Sequence, residues 1–424
     1  MELGTSISVV IPTLDNPEAV KKVINSLNNQ TLLPKEILIC DSSSKKEIEG
    51  LVKTIESTIE IKYFRVGKAF PFDRILISFS KVFSKRRMLN SKDKGRAFPY
   101  EATNLGSEEA TGEFLAFLDA TTIPEQDWLK DYLLIYQEKK VKVVFGKTKY
   151  LALSSFQKLL RTSTYGRRGH ETIPGTLIRK EDFILSGQII NGVRSGGDIE
   201  WRNRVKSMFS FNLPKKSYLS YSDLPKDLII ASKKIFIYQL HGSRLDIQNT
   251  VKDIYLGLAL IFSAILIPKW NSFVGWKTSP LYMPNITKLY LLGLVVIFLT
   301  TLIINRGALK KLSNSFFSNT LKLLIFIFVF LGVFRWNGAI AGWVESSVWY
   351  IPHMTKIFIG AVLLSSVAYR GLYFPLKNEV EKEYLFPFKW LQVGLLGLFL
   401  DCVKAPGYLI GSILSPFSKK IKKD

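Results

Sequence analysis

Residues 6–44 read SISVVIPTLDNPEAVKKVINSLNNQTLLPKEILICDSSS, and this stretch decides the fold. SISVVIPTL (6–14) is rich in β-branched residues and predicts a strand. Asn16 then serves as a helix N-cap and Pro17 as the first helical residue, opening a helix over 18–28. KEILICDSSS (35–44) is a second strand, ending at Asp41 in a polar loop.

Farther along the chain, IEIKYFRV (59–66) predicts a third strand and EFLAFLDA (113–120) a further one. Helices are expected over 101–110 and within DWLKDYLLIYQEK (127–139). Strands alternating with helices, several of them continuous apolar runs, indicate an α/β fold: a mainly parallel sheet with helices on both faces. Ligands of such sheets bind beyond the carboxyl ends of the strands. Asp15, Asp41 and Asp119 all lie just past strand ends, so three acids are expected on one edge. The sequence has neither G-x-G-x-x-G nor G-x-x-x-x-G-K-[ST], which removes the usual phosphate cradles of dinucleotide and P-loop sites.

Three blocks in order carry a resemblance: residues 8–44, then NLGSEEATGEFLAFLDA (104–120), then GGDIEWRNRV (196–205). Together they resemble the inverting family-2 glycosyltransferases of GT-A fold, over about residues 5–245. The resemblance implies a nucleotide-sugar donor, a divalent metal (Mg²⁺ or Mn²⁺) at its diphosphate, and single-step inversion at the anomeric carbon. Such a transfer needs a base for the acceptor hydroxyl and a cation or donor array for the leaving group.

By the same resemblance Asp41 contacts the nucleobase, and Asp15, Asn104 and Arg204 help to bind substrate. Asp119-Ala120-Thr121 stands where the family has its Asp-x-Asp metal motif, so Asp119 is the expected metal ligand and Thr121 offers only a hydroxyl. Asp198 occupies the position of the catalytic base, with Gly197 in place of the usual Glu and Glu200 as the fallback. In TYGRRGHETIPGTLIRK (164–180), Arg167 and Arg168 precede a Pro-Gly turn and suit donor or lipid phosphate. His241, in YQLHGSR (238–244), is a second candidate metal ligand.

The remainder of the chain differs in composition. The net charge of +23 divides almost evenly: 39 Lys/Arg and 28 Asp/Glu lie in 1–250, against 19 and 7 in 251–424. Only the second part carries long uncharged runs, at 254–268, 289–305, 323–334 and 357–369. These predict about four transmembrane helices over 249–375, following a cytosolic GT-A domain over 1–248. Basic loops at 306–322 and 370–389 face the cytoplasm under the positive-inside rule. WLQVGLLGLFLDCVKAPGYLIGSILSPF (390–417) is interrupted by Asp401, Lys404 and Pro406-Gly407. Residues 376–424 are therefore expected as re-entrant or interfacial helices with a basic tail. The N-terminal residues read as a strand rather than a signal peptide. Cys40 and Cys402 are not expected to pair, which fits a reducing compartment.

Basic charge on this plan favours an anionic membrane surface or phosphate-bearing ligands. No recognition motif supports nucleic acid. The expectation is an integral membrane glycosyltransferase adding one sugar to a membrane-held, polyprenyl-diphosphate-linked glycan on the cytoplasmic side. No Q-x-x-R-W sequence of processive synthases occurs. Direct transfer to polyprenyl phosphate or diacylglycerol is the alternative, and a catalytically degenerate sugar-nucleotide-binding scaffold is another.

Overall fold

The structure is a computed structural model that describes residues 5–66, 98–243 and 354–414, with a few isolated positions between the last two. Among the described residues nine strands form one sheet: β1 (Ile7–Thr13), β2 (Glu36–Asp41), β3 (Glu60–Arg65), β4 (Phe114–Phe117), β5 (Thr122–Pro124), β6 (Val143–Tyr150), β7 (His170–Arg179), β8 (Phe211–Asn212) and β9 (Leu219–Tyr221). Their order is β3-β2-β1-β4-β7-β6-β9-β5, with β8 also paired to β6. The first four are parallel, as expected. The other half is mixed: β7 runs antiparallel to both β4 and β6, and β5 to β9, while β6 is parallel to β8 and β9, so parallel pairings remain the majority, as expected.

Period-two alternation explains the layers. Ile7, Val9 and Ile11 of β1 and Ile37 and Ile39 of β2 face helices α1 (Pro17–Asn28) and α4 (Trp128–Lys139). The intervening Val10, Leu38 and Cys40 face the opposite layer, with α3 (Pro99–Glu109), α6 (Lys180–Ser186) and α7 (Gly197–Met208). Helix α2 (Glu47–Thr54), after β2, adds Ile48 to the α1 layer, and α5 (Ser155–Thr164) follows β6. Asn16 caps α1 as its sequence predicts, its side chain accepting from Ala19 N at 3.1 Å.

The Pro-Gly turn expected within 164–180 is instead part of strand β7. The β6–β7 register shifts between Val144 and Gly146, where Val144 pairs with Leu177 but Gly146 with Thr172. Residues 173–176 bulge there, so Pro174 needs no ladder hydrogen bond and Gly175 adopts φ 93°.

The chain divides into two compact units. The first comprises residues to Ile230 together with Asn378–Val380, so its boundary falls at Ile230 rather than 248. From Ala231 onward, helix α8 (Leu228–Gly242) belongs to the second unit.

That second unit also contains α9 (Met354–Ala368), a π-helical turn over Tyr369–Tyr373, and α10 (Lys389–Leu414). The break expected at Pro406-Gly407 does not occur, and α10 runs through it. Its polar residues are paired rather than exposed. Arg370 grips Asp401 through two contacts of 2.7 Å, and Lys404 reaches the same carboxylate at 3.1 Å. Among the described residues no helix is long and apolar enough to cross a membrane. The expected spans at 254–268, 289–305 and 323–334 lie outside the described residues. The fourth corresponds to α9, which runs on without a break through the π-helical turn at Tyr369–Tyr373 to Lys377.

Candidate active site

The carboxyl ends of β1, β2 and β4 share one edge because these strands are parallel. The first turn of β7 lies on that edge too, since β7 runs against β4 from Arg179 back toward His170.

Asp41 closes β2 and is completely buried. Its Oδ1 accepts from Thr13 Oγ1 at 3.1 Å, Ser43 N at 3.0 Å and Ser43 Oγ at 2.5 Å. Its Oδ2 accepts from Tyr63 OH at 2.8 Å and Arg65 Nη1 at 3.1 Å. Burial raises the Tyr63 phenol above its ordinary value, the neighbouring Asp41 adding to this. Asp15 ties the same two loops together in the left-handed region, at φ 44°. Its amide donates to Ser43 Oγ at 2.7 Å, while its carboxylate accepts from Ser44 N at 2.9 Å. The loops after β1 and β2 are thus laced into one rigid lip. Capping of α1 belongs to Asn16 and not to Asp15.

Asp119 lies half-exposed in the turn after β4, where its carbonyl accepts from Thr122 N at 3.0 Å. No cluster of three or more His, Cys, Asp or Glu able to hold a metal occurs among the described residues. His241 is buried on α8, in the second unit, whereas Asp119 belongs to the first. Asp119 alone suits a hard cation carried in by phosphate oxygens, since Mg²⁺ is commonly held by one or two carboxylates plus substrate.

Asp198 occupies the second position of α7. The N-cap is Gly196, at φ 89°, so Asp198 is not engaged in capping. Its Oδ1 accepts from Tyr100 OH at 3.0 Å, and Oδ2 stands 3.7 Å from an Arg202 nitrogen. Arg202 is itself anchored to the start of β7, with Nη1 donating to Glu171 O and Oε1 at 2.9 Å each. Through this anchor the base candidate stands on the same edge as Asp119. Tyr100 and Arg202 were missing from the sequence expectation. Arg202 is legible as an i,i+4 partner of Asp198, but Tyr100 is 98 residues away and leaves no local signal.

Other expected substrate ligands have internal partners. Glu200 pairs with Arg204 at 3.1 Å and is 11% exposed. Arg204 also bonds the carbonyls of Ser186 and Gln188. Asn104 is buried, donating to Ile189 O at 2.7 Å and Asn191 Oδ1 at 2.9 Å while accepting from Ile189 N at 3.0 Å. Glu101, one turn earlier, accepts from Phe98 N and Gly192 N at 2.9 and 2.6 Å. Burial raises its carboxyl above the ordinary value. One face of α3 therefore clamps the loop leading into α7. Asn104, Glu200 and Arg204 act on the frame of the site.

Arg167 and Arg168 expose their side chains, while their backbone amides donate to Asn378 O at 2.9 and 3.3 Å. Beside them Tyr150 and Tyr165 stack at 4.0 Å, and His170 packs edge-on against both.

Residues 8–70 match the family model Glycosyl transferase family 2. Glycosyltransferase AglE of Haloferax volcanii is 24% identical over 214 residues, covering 47% of this chain and 60% of the relative. Chondroitin synthase of Escherichia coli is 24% identical over 198 residues, 46% of this chain and 24% of the relative. The chain thus spans less than two thirds of the length of either. Among solved structures, S. aureus TarS 1–349 in complex with UDP-GlcNAc is 16% identical. It matches 64% of this chain and 80% of that one at a TM-score of 0.39. The likeness at sequence level is thus to glycosyltransferases, and it falls on the part of the chain that builds the mixed α/β sheet.

Proposed function

We propose that this chain is an inverting family-2 glycosyltransferase that takes one sugar from a nucleotide-sugar, with Asp198 as the base. The observation that carries the reading is Asp198 itself. It is a partly exposed carboxylate at the sheet edge, with one oxygen bonded to Tyr100 and the other without a contact of hydrogen-bond length to Arg202. Its neighbour Glu200 is paired with Arg204 and is not available for the same proton.

The laced loops after β1 and β2 receive the nucleoside, with Arg65 and Tyr63 fixed at the Asp41 carboxylate behind them. Asp198 accepts the acceptor's hydroxyl proton. The acceptor oxygen bonds the anomeric carbon as the bond to the diphosphate breaks, and the electron pair leaves with the diphosphate. A divalent cation accompanying the donor, met by Asp119, would neutralise the leaving charge.

The finer reading is a membrane-held acceptor, a polyprenyl-diphosphate-linked glycan of a surface polysaccharide, with the domain on the cytoplasmic side of an integral membrane chain. It is supported by the long uncharged runs of the sequence and by apolar side chains exposed in the second unit, Leu364, Leu395 and Phe388 among them. A non-catalytic sugar-nucleotide scaffold is favoured by one observation, the threonine at 121 where a second acid would stand. The test incubates membranes bearing the full chain with uridine, guanosine and thymidine diphospho-sugars. Nucleoside-diphosphate release stimulated by Mg²⁺ or Mn²⁺, and lost in Asp119→Asn, is expected. Tight donor binding without release supports the scaffold instead.

A further inference from the structure

Asp198 is preceded by a residue with no side chain, and the space is filled from elsewhere. A Cβ on Gly197 would meet the Tyr100 ring at 2.8 Å from Cε2, 2.9 Å from Cδ2 and 3.3 Å from Cζ. The aromatic ring therefore lies directly against the first residue of α7. From that seat its hydroxyl donates to Asp198 Oδ1 at 3.0 Å. Any larger residue at 197 would push the ring away from the carboxylate that it touches.

The supports on either side are stiff. Tyr100 belongs to the first turn of α3, whose Glu101 and Asn104 grip residues 189–192 just ahead of α7. On the other side Arg202 is held by Glu171, 3.7 Å from Oδ2. A carboxylate's terminal torsion is broad and two-fold. Fixing one oxygen by a hydrogen bond therefore fixes the plane, and with it the direction of the other oxygen.

We propose that Tyr100 is a positioning residue for Asp198, seated by the absence of a side chain at Gly197. It pins Oδ1 so that Oδ2 faces the acceptor hydroxyl and takes its proton. The inference rests on Asp198 being the base of the proposed transfer. A hydrogen bond to a charged group contributes about 1.5–3 kcal/mol, equivalent to roughly a ten- to hundredfold change in rate if it acts only on proton transfer.

The test uses the full chain in membranes and whichever nucleotide-sugar in the panel above gives release. Tyr100→Phe keeps the ring and removes the hydroxyl, while Gly197→Ala keeps the hydroxyl and displaces the ring. Each is expected to lower kcat about tenfold or more, with donor KM within about twofold. The double variant should be no slower than the slower single one, because both remove the same contact. Tyr100→Phe at wild-type kcat, in a protein where Asp198→Asn is inactive, overturns the positioning role. So do losses that multiply in the double variant. An active Asp198→Asn overturns the base assignment itself, which is a different result from either.

Discussion

Asp41 and Asp198 stand on the same edge of one sheet. The first is completely buried under five hydrogen bonds, while the second is 35% exposed with one at 3.0 Å and a cation at 3.7 Å. Both are acids at the edge where ligands of such sheets bind, so position alone does not separate them. Saturation does. A carboxylate whose lone pairs are all taken fixes the loops around it, and moving a proton onto it would break those bonds. A carboxylate held at one oxygen keeps a direction and a vacant acceptor. The edge thus divides into a rigid lip at β1–β2 and, at α7, a carboxylate with an acceptor position open.

Asp198→Asn is expected to reduce sugar transfer by about 10²–10⁴-fold with the melting midpoint unchanged. Turnover near wild type would make Asp198 another frame residue.

Glu36 extends the saturated class to the sheet's opposite end, and its effect is on stability. It is completely buried, and burial alone would raise its carboxyl. Hydrogen bonds from Lys62, Ser8 and Thr111 outweigh that and hold it down to about 2, against 4.5 for the free group. A depressed folded value means stability present above the unfolded value and lost as pH falls through the folded one. About 3 kcal/mol of unfolding free energy should disappear between about pH 5 and pH 2. Urea titrations across that range check it, and Glu36→Gln should lack this part of the slope.

Asp41→Asn is expected to cost about 2–3 kcal/mol in the same titration, since an amide nitrogen would confront donors on one side of the carboxylate. A variant of unchanged stability would mean that the lacing of the two loops adds nothing. Glu200→Gln should have the smallest effect. It removes an i,i+4 pair with Arg204, worth about 0.5 kcal/mol, and transfer should stay within about threefold. A loss comparable to that of Asp198→Asn would reverse the roles of the two acids.

The parallel half of the sheet was legible because each of its signals is local. Alternation in 7–13 and 36–41, the Asn16 cap and Pro17 all act within a few residues. The mixed half was not. Strand β7 carries Pro174-Gly175, which read as a turn until the bulge opposite Gly146 absorbed it. Strands β5, β8 and β9 are two or three residues long, too short to show a period. Helix α10 was read as broken because Pro406, Asp401 and Lys404 are helix and membrane misfits in isolation. Arg370, 31 residues earlier, satisfies the charge. In the site, Asp198 was singled out by the family resemblance, and its contact with Tyr100 was a matter of tertiary packing alone.

One small return of the chain changes what counts as a transplantable part. Asn378–Val380 comes back to the first unit, and its Asn378 carbonyl takes the amides of Arg167 and Arg168. Gly166, at φ 72°, lies so close that a Cβ would strike Asn378. A cassette cut after residue 230 would therefore carry the sheet and Asp198 but leave the arginine loop without its clasp. Swapping this domain into another enzyme, or secreting it alone, calls for grafting a surrogate carbonyl at that point. The first unit is discontinuous, closed by three residues encoded almost 150 positions downstream.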